Sequence, residues 1–268
     1  MKFSFTHHMQ YDFAENSGND WPVPNRLFDP DLGVPNYREH TDQKIFAEEC
    51  GFDWVACNEH HMSPYGLMPN PSLIGAIVAH QTKRVGVLQS GSILPLNNPI
   101  RVAEEYAMID VLSGGRLVAG FMRGIPHEYV AYNIDPGESY GRMYESIDLI
   151  KKCWTEPEPF DFNGRFWNGK AIKVRPEPYQ RPHPPIAMAC SDTRESAELA
   201  GERGSWILFG STADPVYQRL VDYYNIVGGF GTLMFHMGRD YGSRRGRARS
   251  MRLFMEQVAP RLRTLNPD

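Results

Sequence analysis

The chain has 268 residues, 41% of them apolar, and a formal net charge of −4. This length supplies enough apolar surface for a sizeable core, and the mildly acidic balance argues against nucleic acid or an anionic membrane as partner, since both select for basic surfaces. No apolar run approaches the ~20 residues that a bilayer span needs, and the opening Met1-Lys2-Phe3-Ser4-Phe5-Thr6-His7-His8 turns polar too early for a secretory signal. The four cysteines, Cys50, Cys57, Cys153 and Cys190, lack CxxC spacing. That pattern disfavours zinc and disulfides, so no metal site is expected and a reducing cytoplasm is the expected compartment.

Strand-like and helix-like stretches alternate along the chain. Lys2–Thr6 reads as a first strand, followed by a loop rich in Pro, Gly, Asn and Asp over 15–36 and a helix over 37–50 that Gly51 stops. Trp54–Cys57 is a buried strand in which Cys57 serves as a small hydrophobe. A helix over 71–83 carries Pro71 in its first turn. The third strand, 85–94, leads to a helix over 99–112 halted by Ser113-Gly114-Gly115, whose stripe Ala103, Tyr106, Ala107 and Asp110 reads as core and docking surface. A fourth strand covers 116–122 and a fourth helix 138–154. A hairpin-like insertion over 160–185 has its turns marked by Asn163-Gly164 and Asn168-Gly169. Strands at 186–190, 206–209 and 230–235 then alternate with helices at 194–203 and 214–225. A basic amphipathic helix over 244–265 closes the chain, its Arg244–Arg249 cluster read as a solvated face or as partners for acidic loops.

This alternation predicts a parallel sheet with right-handed crossovers, in a single domain over 1–268. Seven strands are readable. A TIM-type (β/α)8 barrel takes about 250 residues before insertions. After the sixth strand the chain runs through Gly210-Ser211-Thr212-Ala213 almost directly into a helix. The barrel is therefore expected to lack about one βα unit there.

Glu59-His60-His61 follows the second strand, at the rim where barrel enzymes do their chemistry. Histidine suits proton handling because its pKa lies near working pH; a histidine merely hydrogen-bonded at a strand end is the plain alternative. Arg123 ends the fourth strand, where a guanidinium makes forked bonds to phosphate oxygens or pairs with a neighbouring loop. Ser191-Asp192-Thr193, with Ser196 one turn further, joins hydroxyls to the N–H groups of a helix start, an anion-binding arrangement. Capping by Asp192 or Thr193 needs no ligand, and both readings can hold together. His7 and Met9 end the first strand and, with His61, are candidates to line a substrate cavity, although a lone Met or His there more often packs.

Several ordered motifs carry a family resemblance. They are Glu59-His60-His61; Ile93-Leu94-Pro95-Leu96-Asn97-Asn98-Pro99 running on to Glu105; Asp110-Val111-Leu112-Ser113-Gly114-Gly115-Arg116 with Gly120-Phe121-Met122-Arg123-Gly124; Glu195–Ala200; and Phe230-Gly231-Thr232-Leu233 before a basic helix. Together they resemble the luciferase-like flavin-dependent monooxygenases, in the alkanal and limonene monooxygenase-like branch. The resemblance implies a barrel that binds reduced FMN at the C-terminal ends of its strands. It implies oxygen activation on that flavin and attack on an aldehyde, alkane, terpene or similar apolar substrate. Reduced flavin would come from a separate NAD(P)H:flavin reductase, and a homodimer is implied. By the same resemblance His60 is the active-site histidine, and the backbone at Ser90-Gly91 presses under the flavin ring, with a cis peptide bond between them; an ordinary bulge is the alternative. Arg123 would hold the phosphate, and Ser191, Asp192, Thr193 and Ser196 the ring edge and phosphate. One departure stands out: Tyr140 occupies a position where relatives often carry arginine, leaving Ser139 or Arg142 as substitute phosphate partners. Two other functions share this fold: a coenzyme F420-dependent oxidoreductase, and a non-catalytic flavin-binding protein, which the short 210–214 junction favours.

Overall fold

In the computed structural model, which describes residues 2–11, 21–63, 66–189, 206–208, 232–237 and 244–264, the expected alternation is realised. The elements in chain order are β1 (Lys2–His7), α1 (Pro30–Cys50), β2 (Trp54–Cys57), α2 (Pro71–Gln81), β3 (Gly86–Ile93), α3 (Pro99–Ser113), β4 (Leu117–Met122), α4 (Pro126–Ala131), α5 (Ser139–Thr155), β5 (Phe160–Asn163), β6 (Asn168–Ile172), β7 (Ile186–Ala189), β8 (Trp206–Leu208), β9 (Thr232–Met237), α6 (Arg244–Leu253) and α7 (Ala259–Arg263). β5 and β6 form an antiparallel hairpin. The other seven strands make one sheet in the order β8-β7-β4-β3-β2-β1-β9, and every pairing in it is parallel.

This succession is consistent with a TIM-like α/β fold. Each strand lies beside its predecessor in the sheet, and the last returns beside the first. A barrel wall is built that way, whereas a doubly wound sheet reverses direction at a switch point. The edges are β8 and β9, and among the described residues no pairing joins them. The expected helices at 194–203 and 214–225 and the 210–213 junction lie outside the described residues.

The sheet's two faces differ in bulk because strand side chains alternate. Ala56, Leu88, Val118 and Ala187, with Trp54 against them, form a small inner cluster. Phe3, Phe5, Val55, Cys57, Val87, Ala119 and Phe121 join the much larger core beneath the helices. There Phe3 meets Phe254 edge-on at 5.5 Å, and Phe5 lies 5.6 Å from Phe52. Gly86 has to be glycine, because a Cβ there would sit 2.0 Å from the Trp54 ring, its partner in the β2–β3 register.

The first three helices share one start signal, an Asx residue followed by proline. Asp29 accepts the Asp31 N–H at 2.9 Å, Asn70 accepts Ser72 and Leu73, and Asn98 accepts Ile100 and Arg101. Each such cap is worth about 1 kcal/mol, and proline at the next position gives up an N–H that has no helical partner anyway.

Four expectations need correction. Helix α1 starts at Pro30, not in the region of Tyr37, so the last part of the anticipated 15–36 loop, from Pro30 on, is helical despite Pro35 inside it. The helix starts on the Asp29 cap with Pro30 at its first position, and Pro35 forfeits one backbone hydrogen bond within it. α4 was not expected at all. Asn168-Gly169 opens β6 and does not turn the chain; the turn is at Asn163-Gly164, where Glu145 of α5 accepts the N–H groups of Arg165, Phe166 and Trp167 at 2.7–2.9 Å. The closing helix is broken by a π-helical turn over Phe254–Val258 before α7, since Pro260 withholds an N–H that a continuous α-helix uses. Of its arginines, Arg247 is buried and bonds Glu39 of α1, and Arg263 pairs with Asp53 at 3.2 Å. Cys57 and Cys153 are buried free thiols; burial pushes Cys153 up to about 11.

Candidate active site

Parallel strands present their C-terminal ends along one edge, and the site is assembled there. Residues 58–61 follow β2, Ser90 and Gly91 lie near the C-terminal end of β3, Arg123 follows β4, and His7 ends β1. The Ser90–Gly91 peptide bond is cis, as expected. The alternative of a bulge holds as well, for the β3–β4 register shifts between Gln89 and Ser92. A Cβ on Gly91 would lie 2.0 Å from the Gly120 carbonyl oxygen, so the two strand backbones press directly together. Tyr106 of α3 braces the same place. Its hydroxyl accepts the Ser92 N–H at 3.0 Å and lies 3.0 Å from both Ser92 Oγ and the Gly120 carbonyl. The Ser90 hydroxyl donates to the Cys57 carbonyl at 3.2 Å, tying β3 to β2.

Two buried carboxylates organise the histidine loop. Glu59, 5% exposed, accepts the Ile93 N–H at 3.1 Å, the Asn97 amide at 3.0 Å, and lies 2.7 Å from His61 Nε2. Glu128 of α4, 0% exposed, lies 3.1 Å from His60 Nδ1 and accepts the N–H groups of His61 at 3.3 Å and Ile125 at 3.0 Å. The Tyr132 hydroxyl is 3.1 Å from His61 Nδ1. The His8 ring meets His60 edge-on at 5.2 Å. Glu128 also packs against the Gly124 backbone, which binds the loops after β2 and β4 into one unit.

Arg123 occupies a more open corner. Its guanidinium lies 4.4 Å above the ring of Tyr140, which in turn stacks with Tyr144 at 6.0 Å. Tyr140, the departure from the family pattern, therefore carries the Arg123 head in place of a second cation. Ser139, at the start of α5, is buried, and its hydroxyl donates to the Pro136 carbonyl at 2.7 Å. Arg142 is engaged by Glu138 at 2.9 Å. Tyr129 donates to the Arg123 carbonyl at 2.7 Å, and burial raises its phenol.

The remaining candidates fall elsewhere. His7 is 1% exposed and points, with Phe3 and Phe5, toward the helices; it packs on His40 at 4.8 Å, and its Nδ1 accepts the Met9 N–H. Its pKa is held well below the ordinary imidazole value, first by burial and then by Lys44 and His40. Met9 is buried, and its carbonyl accepts the Leu67 N–H at 2.8 Å. Ser191, Asp192, Thr193 and Ser196 lie outside the described residues.

Glu128 and Asn58 had no role in the sequence reading. Pro126 with an acid two residues later is a helix-start signal that would have flagged α4. Asn58 is 7% exposed, and neither carboxamide atom has a partner among the described residues. Cys57 before it joins the helix-side core and Glu59 after it binds Asn97; alternation therefore sets Asn58 on the inner side, in series with Ala56. An orphaned amide there and a rim arginine fit a ligand with polar edges and an anionic tail.

The family model for luciferase-like monooxygenase matches residues 17–227. The chain belongs to that family. It is 32% identical, over 67% of its length, to the oxygenase component of the flavin-dependent trigonelline monooxygenase of Acinetobacter baylyi, covering 50% of that protein. To the alkanal monooxygenase alpha chain of Photorhabdus luminescens it is 30% identical over 68% of its length, covering 50% of the relative. The chain thus spans about half the length of the curated relatives it matches. Among solved structures, the oxygenating constituent of 3,6-diketocamphane monooxygenase of Pseudomonas putida, in complex with FMN, superposes with a TM-score of 0.72 at 18% identity, over 83% of this chain and 93% of that one. That likeness establishes the fold. Among the described residues no helix is long and apolar enough to cross a membrane, and no group of three or more His, Cys, Asp or Glu is placed to hold a metal.

Proposed function

We propose that this chain is the oxygenase component of a flavin-dependent monooxygenase, taking reduced FMN and O2 and oxygenating a small apolar substrate of aldehyde, alkane or terpene type. The observation that carries the reading is the convergence of His60, the Ser90–Gly91 peptide and Arg123 on one edge of a parallel sheet in a member of this family. The flavin would supply the electrons that activate oxygen. The chain's own residues supply the rest. Ser90–Gly91 offers a flat backbone support for the ring, and Asn58 offers one donor and one acceptor to a polar edge. Arg123, with the 191–196 segment, holds the phosphate, while Ser139, buried with its hydroxyl given to the Pro136 carbonyl, serves the start of α5; His60 handles a proton beside the reacting atoms. His61, engaged on both ring nitrogens, braces the loop. His7 and Met9 serve as buried packing beneath the rim.

A separate NAD(P)H:flavin reductase is the proposed source of reduced FMN, as the component name of the trigonelline relative suggests, and the cytoplasm the proposed compartment. The apolar side chains exposed on α2 and α3, among them Leu73, Met108, Val111 and Leu112, support a homodimer through that face. The functional test is turnover under isotopically labelled O2 with NAD(P)H, a flavin reductase and FMN, over a panel of aldehydes, alkanes and terpenes. Label entering one of them is the expected result. Hydrogen peroxide as the sole product across the panel would support the non-catalytic flavin-binding alternative, and turnover with reduced F420 but not FMN would support the deazaflavin one.

A further inference from the structure

We infer that Glu128 is a positioning residue that fixes which nitrogen of His60 carries the proton, and that His60 and His61, neighbours in the chain, are held in opposite tautomers. Glu128 is fully buried and, as a carboxylate, only accepts. Two of its three donors are backbone N–H groups, those of His61 to Oε1 and Ile125 to Oε2, and neither can give up its hydrogen. They pin the carboxylate from both sides with Oε1 directed at His60 Nδ1, 3.1 Å away. The third donor is then His60 Nδ1–H, which places the ring's lone pair on Nε2.

His61 is arranged the other way round. Its Nε2 lies 2.7 Å from Glu59 Oε1, and Glu59 also accepts from the Asn97 amide and the Ile93 N–H. His61 Nε2 therefore carries the hydrogen, and Nδ1 accepts from the Tyr132 hydroxyl at 3.1 Å. One histidine holds the loop together through both ring nitrogens; the other has its Nδ1–H fixed by its carboxylate. The short helix α4, with Glu128 in its first turn, is in this account the part that sets His60.

The kinetic consequence rests on the proposed monooxygenase reading, but the tautomer assignment does not. The test is nitrogen NMR of the whole chain labelled in its imidazoles, without flavin, in neutral to alkaline solution, with resonances assigned through His60→Gln and His61→Gln. The expected result is Nδ1–H for His60 and Nε2–H for His61. Glu128→Gln should shift His60 to a mixed or Nε2–H state and leave His61 unchanged, while Glu59→Gln should do the reverse. An Nε2–H His60 in the unsubstituted chain overturns the proposal, as does a Glu128→Gln chain whose His60 tautomer is unaltered. If Glu128→Gln does not fold, the unsubstituted spectrum alone decides. In turnover, Glu128→Gln should lower kcat about 10–100-fold with the KM for reduced FMN changed by less than about 2-fold, and Glu128→Asp should restore part of the loss. Correct tautomers in a chain that oxygenates nothing would leave this inference standing and remove the functional reading instead.

Discussion

Glu59 and Glu128 are almost wholly withdrawn from solvent and have their oxygens filled by fixed donors, whereas Arg123, on the same rim, is exposed and rests on a tyrosine ring. The histidine side of the site is therefore set before any ligand arrives, and each of its hydrogen bonds has little water to compete with. The arginine side stays open to an anion, its head group steadied by a contact worth only about 0.5–1 kcal/mol at an exposed position. A site that handles protons gains from fixed geometry; a site that captures a mobile phosphate gains from a reachable charge.

Substitutions should separate the two sides sharply. Glu59→Ala leaves the Ile93 N–H, the Asn97 amide and the His61 ring short of an acceptor in a buried place. The unfolding free energy in urea should fall by about 3 kcal/mol or more, and a loss under about 1 kcal/mol would mean that the carboxylate organises nothing. Arg123→Ala should barely change stability but raise the Kd for FMN about 10–100-fold, the loss of a charge-assisted fork; unchanged affinity would remove Arg123 from the phosphate site. Beneath the rim, burial keeps the folded His7 ring neutral while the unfolded chain protonates it. Stability should hold above the ordinary imidazole value of about 6.5 and decline as pH drops below it, by at most about 1.4 kcal/mol per pH unit. His7→Gln should flatten that decline, which pH-dependent denaturation would reveal. Smallest of all, Tyr140→Ala should weaken FMN binding only about 2–5-fold.

The same contrast marks what the sequence made legible. All seven sheet strands and the cis bond at Ser90–Gly91 were readable, since strands buried on both faces form compact apolar runs and the family motifs sit at their ends. α4 was missed, because six residues are too few to show a period and its start signal, Pro126 with an acid two residues on, was passed over. Without α4, Glu128 had no address, and its bond to His60 spans 68 positions that no local pattern connects. The start of α1 was missed for the opposite reason: Gly33 and Pro35 read as loop, and the Asp29-Pro30 cap that overrides them was passed over. His7 looked like a rim residue by its place at the end of β1, but strand alternation turns it toward the helices, in phase with Phe3 and Phe5.

Anaerobic titration of the chain with reduced FMN, beside reduced riboflavin that lacks the phosphate, tests most directly whether these strand ends cradle a flavin and its anionic tail. The expected result is saturable binding of both, with FMN at least about 10-fold tighter and that margin lost in Arg123→Ala. Absence of saturable binding, or equal affinity for the two flavins in the unsubstituted chain, would contradict it.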